Sequence, residues 1–463
     1  MAHRTSQIPS GIFRAYDIRG IVEQELTVDR VYTLGLAIGN TAFEQGQTEI
    51  AVARDGRLSG PEFSQAMIQG ILASGCNAID LGMVPTPLLY FATNVLETHS
   101  GVMITGSHNP SNYNGFKLVI AGQTLYGPAI QNLYQRIVNN DLKIREPGLC
   151  KTYDIRERYL QTVIDQIHLN RSFKVVVDCG NGVTGELAPQ LLTLLGCEVI
   201  PLFCDIDGHF PNHHPDPMDP KNLTTLINTV REQKADLGLA FDGDGDRLGL
   251  VTEQGDIIWP DRQLMLIATD MLRRYPGAGI VYDVKCTRLL TTLIREQGGQ
   301  PLMSATGHSL IKAKLKETGA PLAGEMSGHI FFNDDWYGFD DALYAAARLL
   351  ALLSTYQIAV GAVFAQFPQS VNTPELHIPI AENKKFALIQ ALQKNANFPD
   401  GEIITIDGLR VDFKAGWGLV RASNTTPCLV ARFEADDVEN LMRIQNLFRT
   451  QLLALDPELN LPF

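Results

Sequence analysis

Thiols are few and scattered. The chain has seven cysteines (Cys76, Cys150, Cys179, Cys197, Cys204, Cys286 and Cys428), an odd number with no CxxC pair. That speaks against a disulfide framework and fits buried thiols in a reducing cytoplasm. Long apolar runs are also missing: none approaches the roughly 20 residues of a membrane span. Residues 1–10 lack an apolar core of signal-peptide length. Positive charge is the minority, with 38 Lys and Arg against 51 Asp and Glu and a net charge of −13. Nucleic acid is therefore not the expected partner, because phosphate contacts need Lys and Arg. A phosphorylated small molecule remains open, since it needs only a local basic cluster. Hydrophobic residues make up 45% of the 463. That is enough chain for several domains at about 100 to 200 residues each.

Two stretches stand out from this background. Thr105-Gly106-Ser107-His108-Asn109-Pro110 follows the apolar run Gly101-Val102-Met103-Ile104, which reads as a buried strand. Gly106 permits a tight turn and Pro110 stops a strand or helix from continuing. Ser107 is thus expected on an ordered loop at a strand end with its hydroxyl outward, where ligands bind in open α/β sheets. A serine hydroxyl is a poor nucleophile unless a base or metal helps it. His108 is not taken as that base, because adjacent side chains usually diverge.

In the second stretch, Ala240-Phe241-Asp242-Gly243-Asp244-Gly245-Asp246-Arg247, three carboxylates alternate with glycines that let the loop curl. Converging carboxylates repel one another unless a hard cation neutralises them. Such an oxygen cage suits Mg²⁺ or Ca²⁺. A solvated acidic turn is the plain alternative. An EF-hand is excluded, because its sixth position would be Arg247 rather than Gly and the flanks read as strands over 236–241 and 248–252.

A strand, a loop bearing Asp, a helix, a Gly turn and another strand recur three times. The copies begin at Ile50, Lys174 and Gly279, with helices over 61–74, 187–195 and 287–297. Mainly parallel α/β layers follow. The tail alternates differently from Thr373 onward and reads as an α+β domain. Pro-containing joints give four domains: 1–152, 153–256, 257–368 and 369–463. Gly180-Asn181-Gly182-Val183-Thr184-Gly185 is a literal GxGxxG with Asp205 beyond it, as a dinucleotide fingerprint would be. The matching loops of the other copies, Arg54-Asp55-Gly56-Arg57 and Asp283-Val284-Lys285-Cys286, make it a turn of the repeated unit instead. His213-His214-Pro215-Asp216 reads as a structural loop, and Trp336-Tyr337-Gly338 as packing.

The serine loop, the Asp loop, Gly324-Glu325-Met326-Ser327-Gly328-His329 and Arg421-Ala422-Ser423-Asn424-Thr425 occur in that order. As a set they resemble the signature motifs of the α-D-phosphohexomutases, and most the bacterial phosphomannomutase/phosphoglucomutase branch. The resemblance runs from Tyr16-Asp17-Ile18-Arg19-Gly20 to the C-terminal loop. It implies three similar α/β domains and a C-terminal α+β domain around a central cleft. It also implies exchange of phosphate between carbons 1 and 6 of a hexose, through phosphoserine at Ser107 and a bisphosphate intermediate.

By the same resemblance, Asp242, Asp244, Asp246 and a phosphate oxygen on Ser107 hold Mg²⁺. Arg19, Lys117 and Arg247 attend the reacting phosphate, and His308 and His329 move protons. Tyr16, Lys285, Glu325, Ser327, Arg421, Ser423, Asn424 and Thr425 bind the substrate. Met326 stands where phosphoglucosamine mutases typically carry Gln, which favours glucose and mannose phosphates. Glucose 1,6-bisphosphate is the expected activator, and a cytoplasmic monomer without nucleic-acid or membrane partners the expected form. A phosphoglucosamine mutase, a metal-dependent phosphatase and a non-catalytic sugar-phosphate-binding relative are the alternatives.

Overall fold

The computed structural model describes residues 8–423 and 426–463. Four sheets follow one another along the chain. The first has the order Ile18–Ile21, Tyr113–Ile120, Gly101–Ile104, Glu49–Arg54, Asn77–Met83, Cys150–Thr152, with Gln123–Thr124 beside Tyr113–Ile120. Its last four strands run parallel, and its first three antiparallel. In the second sheet, Ile257–Ile258, Leu248–Thr252, Leu237–Phe241, Lys174–Asp178 and Glu198–Leu202 lie side by side, the last three parallel. The third, Gln300–Ser304, Gly279–Asp283, Leu322–Gly324 and Ile330–Phe332, is parallel over its first three. Central strands such as Gly101–Ile104 and Leu237–Phe241 are buried along their whole length. That is why Gly101–Ile104 reads as an unbroken apolar run rather than an alternating one.

The helices of the repeated unit are Gly60–Ala73, Leu187–Leu194 and Arg288–Glu296. The first packs on Val28–Glu44, which begins at a Thr27 cap whose Oγ1 accepts from the Arg30 amide. These two helices approach so closely that a Cβ at Gly39 would come within 2.7 Å of Ser74 Cβ.

The tail forms a six-stranded antiparallel sheet, with Val371–Asn372, Cys428–Ala435, Gly416–Ala422, Leu409–Phe413 and Glu402–Ile404 in order and Leu376–Pro379 beside Cys428–Ala435. The sequence pattern predicts no strand over Gly416–Ala422. That strand is fully buried and central.

The cores explain how the cleft is framed. One large cluster joins residues of the first three sheet units. At its heart Trp336 stacks on Tyr344 (centroids 4.1 Å apart) and on Phe91 (5.6 Å), with the edge of Tyr159 against it. The C-terminal unit keeps its own core around Phe433 and Phe448. It meets the third unit through a small apolar contact of Val284, Trp417 and Leu419 and through two buried arginines, Arg410 and Arg432. Among the described residues no helix is long and apolar enough to cross a membrane. All seven cysteines are free; Cys150 is exposed, unlike the buried thiols expected.

Candidate active site

Three loops leave the ends of parallel strands and meet at one cavity, the position expected of an open α/β sheet. The serine loop follows Gly101–Ile104, the Asp loop follows Leu237–Phe241, and the Glu325 loop follows Leu322–Gly324. The cavity measures ≈ 630 Å³ and takes residues from all four sheet units.

At one end, Ser107 Oγ donates to Asp242 Oδ2 at 3.1 Å. The other oxygen of Asp242 accepts the backbone N–H groups of Gly245, Asp246 and Arg247 at 3.0 to 3.1 Å, so the loop curls around its own first acid. The three carboxylates offer oxygens within 4.8 Å of one another, all buried. Lys117 donates to Asp244 Oδ2 at 2.7 Å and also to Asp246. Thr86 adds a hydroxyl on Asp244 at 2.6 Å. Burial, then Asp246 and Asp244, push Asp242 well above the ordinary carboxylate range. Burial acts on Asp246 too, but the charges of Lys117 and His329 outweigh it and hold that carboxyl well below the range. Asp244 Oδ1 is buried without a hydrogen-bond partner. An orphaned carboxylate oxygen beside two further acids is the donor set a hard divalent cation requires.

Ser107 departs from expectation in one respect. Its hydroxyl faces the cavity, but the residue is only 2% exposed and its φ is +50°. That left-handed backbone turns the neighbouring side chains together, so His108 Nδ1 lies 3.0 Å from Ser107 Oγ. Burial and nearby cations hold the His108 imidazole well below its usual range.

Arg19 pairs with Asp17 at 2.5 Å and donates to Asn109 Oδ1 of the serine loop. Arg247 Nε lies 3.3 Å from His329 Nε2 and 3.9 Å from Asp242. His329 sits between Asp246 (3.2 Å) and Glu325 (2.9 Å). Burial disfavours its charge, but these two carboxylates prevail and push it up to about 9. His308 goes the other way: burial, then Lys312 and Lys117, hold it well below the usual value. Its Nδ1 faces Asp340 at 3.4 Å and its ring meets the edge of Tyr16. Glu325 accepts from the Gly307 amide with one oxygen and meets His329 with the other. Ser327 Oγ lies 3.0 Å from His329 Nδ1.

The opposite end is cationic. Arg421 donates to Asp407 at 2.8 Å, and Lys285 to Glu375 at 2.6 Å. Ser423 Oγ lies 2.8 Å from Thr426 Oγ1. Asn424 and Thr425 lie outside the described residues. Every other site residue expected from sequence lies in this cavity or directly against it. The glycine fingerprint does not form a free nucleotide turn: Val183 donates to Gly243 O of the Asp loop at 3.2 Å.

Sequence reading missed Thr86, Asp340, Glu375 and Asp407. Each is an ordinary polar residue in its own segment, and its site contact comes from a partner 14 to 158 positions away.

Known proteins resemble the chain along its whole length. Consecutive stretches match the families described as phosphoglucomutase/phosphomannomutase alpha/beta/alpha domain I (10–143), domain II (157–255), domain III (259–371) and C-terminal domain (375–451). A phosphomannomutase/phosphoglucomutase of Pseudomonas putida is 56% identical over 464 residues, covering 100% of both chains. One from Pseudomonas aeruginosa is 58% identical over 456 residues, covering 98% of each. A crystal structure of a phosphoglucomutase/phosphomannomutase family protein from Burkholderia thailandensis superposes with a TM-score of 0.94 at 51% identity, over 99% of this chain and 100% of that one. With all four domains matched in order and full-length relatives above half identity, the chain belongs to the phosphoglucomutase/phosphomannomutase family.

Proposed function

We propose that the chain interconverts the 1- and 6-phosphates of mannose and glucose, with Ser107 as covalent phosphate carrier. One juxtaposition carries this reading. Ser107 lies 3.1 Å from the first of three buried carboxylates at one end of a cavity, and Arg421, Lys285 and Ser423 lie at the other. Phosphoryl transfer asks for positioning and charge neutralisation more than covalent chemistry, and a substrate with two phosphate positions asks for two anion sites.

In the forward half-reaction the free sugar hydroxyl attacks phosphorus on phosphorylated Ser107. The P–O bond to Ser107 breaks, its electron pair stays on Oγ, which takes up one proton in place of the phosphoryl group, and the sugar becomes a bisphosphate. His308, neutral through burial, takes the hydroxyl proton, while His329 holds a proton between two carboxylates. Lys117, Arg19 and Arg247 surround the transferring group. Asp242, Asp244 and Asp246, with an oxygen on Ser107, would hold Mg²⁺, which when bound neutralises charge on that group. Arg421, Ser423, Asn424 and Thr425 grip the phosphate that does not react; Tyr16 and Lys285 flank it. Glu325 and Ser327 read sugar hydroxyls. The bisphosphate then turns round and returns its other phosphate to Ser107. Hydroxyls on carbons 3 and 4 exchange places in that rotation, so a site reading them need not separate glucose from mannose at carbon 2. Domain limits at 1–152, 153–256, 257–368 and 369–463, a monomer, and a cytoplasmic setting complete the proposal.

A coupled assay with mannose 1-phosphate, glucose 1-phosphate and glucosamine 1-phosphate tests it. Turnover of the first two, dependent on glucose 1,6-bisphosphate once Ser107 is dephosphorylated, is expected. Intact mass should show a phosphate-sized addition on the wild type and none on Ser107→Ala. Continuous release of inorganic phosphate would make the protein a phosphatase instead. Wild-type turnover by Ser107→Ala would remove the carrier.

A further inference from the structure

The loop Arg54-Asp55-Gly56-Arg57 closes the first strand of the first repeated unit, Glu49–Arg54, and nothing described so far uses it. Arg57 is 1% exposed. Its Nη2 donates to Ser107 O at 2.7 Å and Asn109 O at 2.6 Å. Its Nη1 donates to Pro110 O at 2.6 Å and Tyr113 O at 2.9 Å. Nε lies 3.3 Å from Asp55 Oδ2. A guanidinium has five N–H donors in a fixed fork; four of them end on carbonyls of one segment, 107–113. Asp55 holds the two residues just before that segment, accepting from Thr105 Oγ1 at 2.7 Å and from the Gly106 amide at 3.3 Å.

The captured carbonyl belongs to the one residue of the loop with a left-handed backbone, Ser107 at φ +50°. That conformation is unfavourable for a side chain with a Cβ, so something must over-determine it. On its other side the same carbonyl faces the Asp loop, where a Cβ at Gly243 would meet Ser107 O at 2.5 Å. The second domain covers Arg57 as well: the Phe210 ring centroid is 5.2 Å from its Cζ. A Cβ at Gly208 would meet Gly56 O and Leu58 N, each at 2.8 Å.

We propose that Arg57 is a positioning residue for Ser107, fixing the strained peptide that aims the serine hydroxyl at Asp242. Only its kinetic consequence rests on the mutase function proposed above; its effect on the loop does not. Lysine cannot replace it, because three donors from one point cannot span four carbonyls.

The test uses the full-length chain with Arg57→Lys and Gly106→Ala. The second keeps Arg57 but places a methyl 2.9 Å from Nη1, displacing the fork. In both, kcat should fall about 100-fold, the cost of misplacing a reacting group by about 1 Å. KM should change less than about threefold, since Arg57 touches no sugar phosphate. Amide exchange of the peptide covering 105–110 should accelerate at least about tenfold, with exchange in 371–463 unchanged. Rephosphorylation of Ser107 by glucose 1,6-bisphosphate, read by intact mass, should slow in parallel with kcat.

Wild-type kcat in either folded variant overturns the assignment, as does unchanged exchange at 105–110. Loss of cooperative melting in both variants overturns it too, because Arg57 would then be an anchor of the whole domain. Faster exchange in the variants, combined with a wild type that turns over no hexose phosphate, leaves Arg57 as the loop's anchor and removes the mutase function alone.

Discussion

Lys117 places one ammonium against two carboxylates of the Asp loop, and a third oxygen there, Asp244 Oδ1, is left without a partner. Asp244→Asn removes charge from the centre of this cluster while keeping its size. Turnover is expected to fall at least about 100-fold, the scale for losing one electrostatic group at a reacting centre. Mg²⁺ affinity by calorimetry should fall with it. Near-wild-type turnover in metal-free buffer would sink the metal assignment. Arg421 differs, because it grips a phosphate equally before and in the transition state. Arg421→Ala should raise KM more than it lowers kcat, costing about 1.5 to 3 kcal/mol for a charge-assisted hydrogen bond. An unchanged KM with a large loss of kcat would place Arg421 at the reacting phosphate. The acids and Ser107 were legible in sequence because glycine spacing and a preceding apolar strand fix where they point. The approach of His108 to Ser107 was not, since it depends on a left-handed φ that no neighbouring residue demands.

At the scale of elements, the helix Ala342–Leu353 shows how tertiary context is hidden from pattern. Its sequence, ALYAAARLLALL, is buried almost throughout and has no polar face to announce it. Asp341 caps it, accepting from the Tyr344 amide at 2.9 Å, and both of its oxygens receive the Tyr159 hydroxyl. Burial, against those hydrogen bonds, pushes Asp341 up from 3.8 to about 7. The folded chain therefore holds a proton that the unfolded chain releases between those values. Stability from this group is complete below about pH 4, falls as pH rises toward 7, and is flat above. At about 1.4 kcal/mol per pH unit the loss is roughly 4 kcal/mol. Asn keeps the cap and cannot ionise. Denaturant titrations of Asp341→Asn and wild type should therefore diverge by roughly 3 kcal/mol in favour of Asn between pH 5 and pH 8. A difference independent of pH would show that Asp341 is ionised in the fold at neutral pH. The buried strand Gly416–Ala422 was hidden for a related reason. Its glycines mark close strand packing, and a Cβ at Gly418 would meet the Phe433 ring at 2.8 Å.

Across the whole molecule, the contrast between the two kinds of contact decides what can move. The first three units share one apolar cluster, so separating them exposes core. The C-terminal unit is held mainly by polar groups around one tryptophan. Arg410 donates to Val284 O at 2.7 Å and Cys286 O at 2.8 Å, with its Cζ 4.0 Å from the Trp417 ring centroid. Arg432 reaches Asp261 at 3.1 Å, and Thr287 reaches Glu434 at 2.8 Å. Arg410→Ala leaves two buried carbonyls unpaired, each costing about 1 to 3 kcal/mol, and empties the space over Trp417. Because that loss falls on the joint, the C-terminal unit should melt before the rest. Trp417 is one of three tryptophans. In Trp259→Phe and Trp336→Phe backgrounds, its fluorescence transition should fall below the calorimetric transition of residues 8–368. Arg421 and Ser423 travel with that unit, so KM should rise at temperatures where the calorimetric main peak is still intact. A single, uniformly lowered transition with KM unchanged until it begins would mean that all four units unfold as one, and that the joint carries no independent motion.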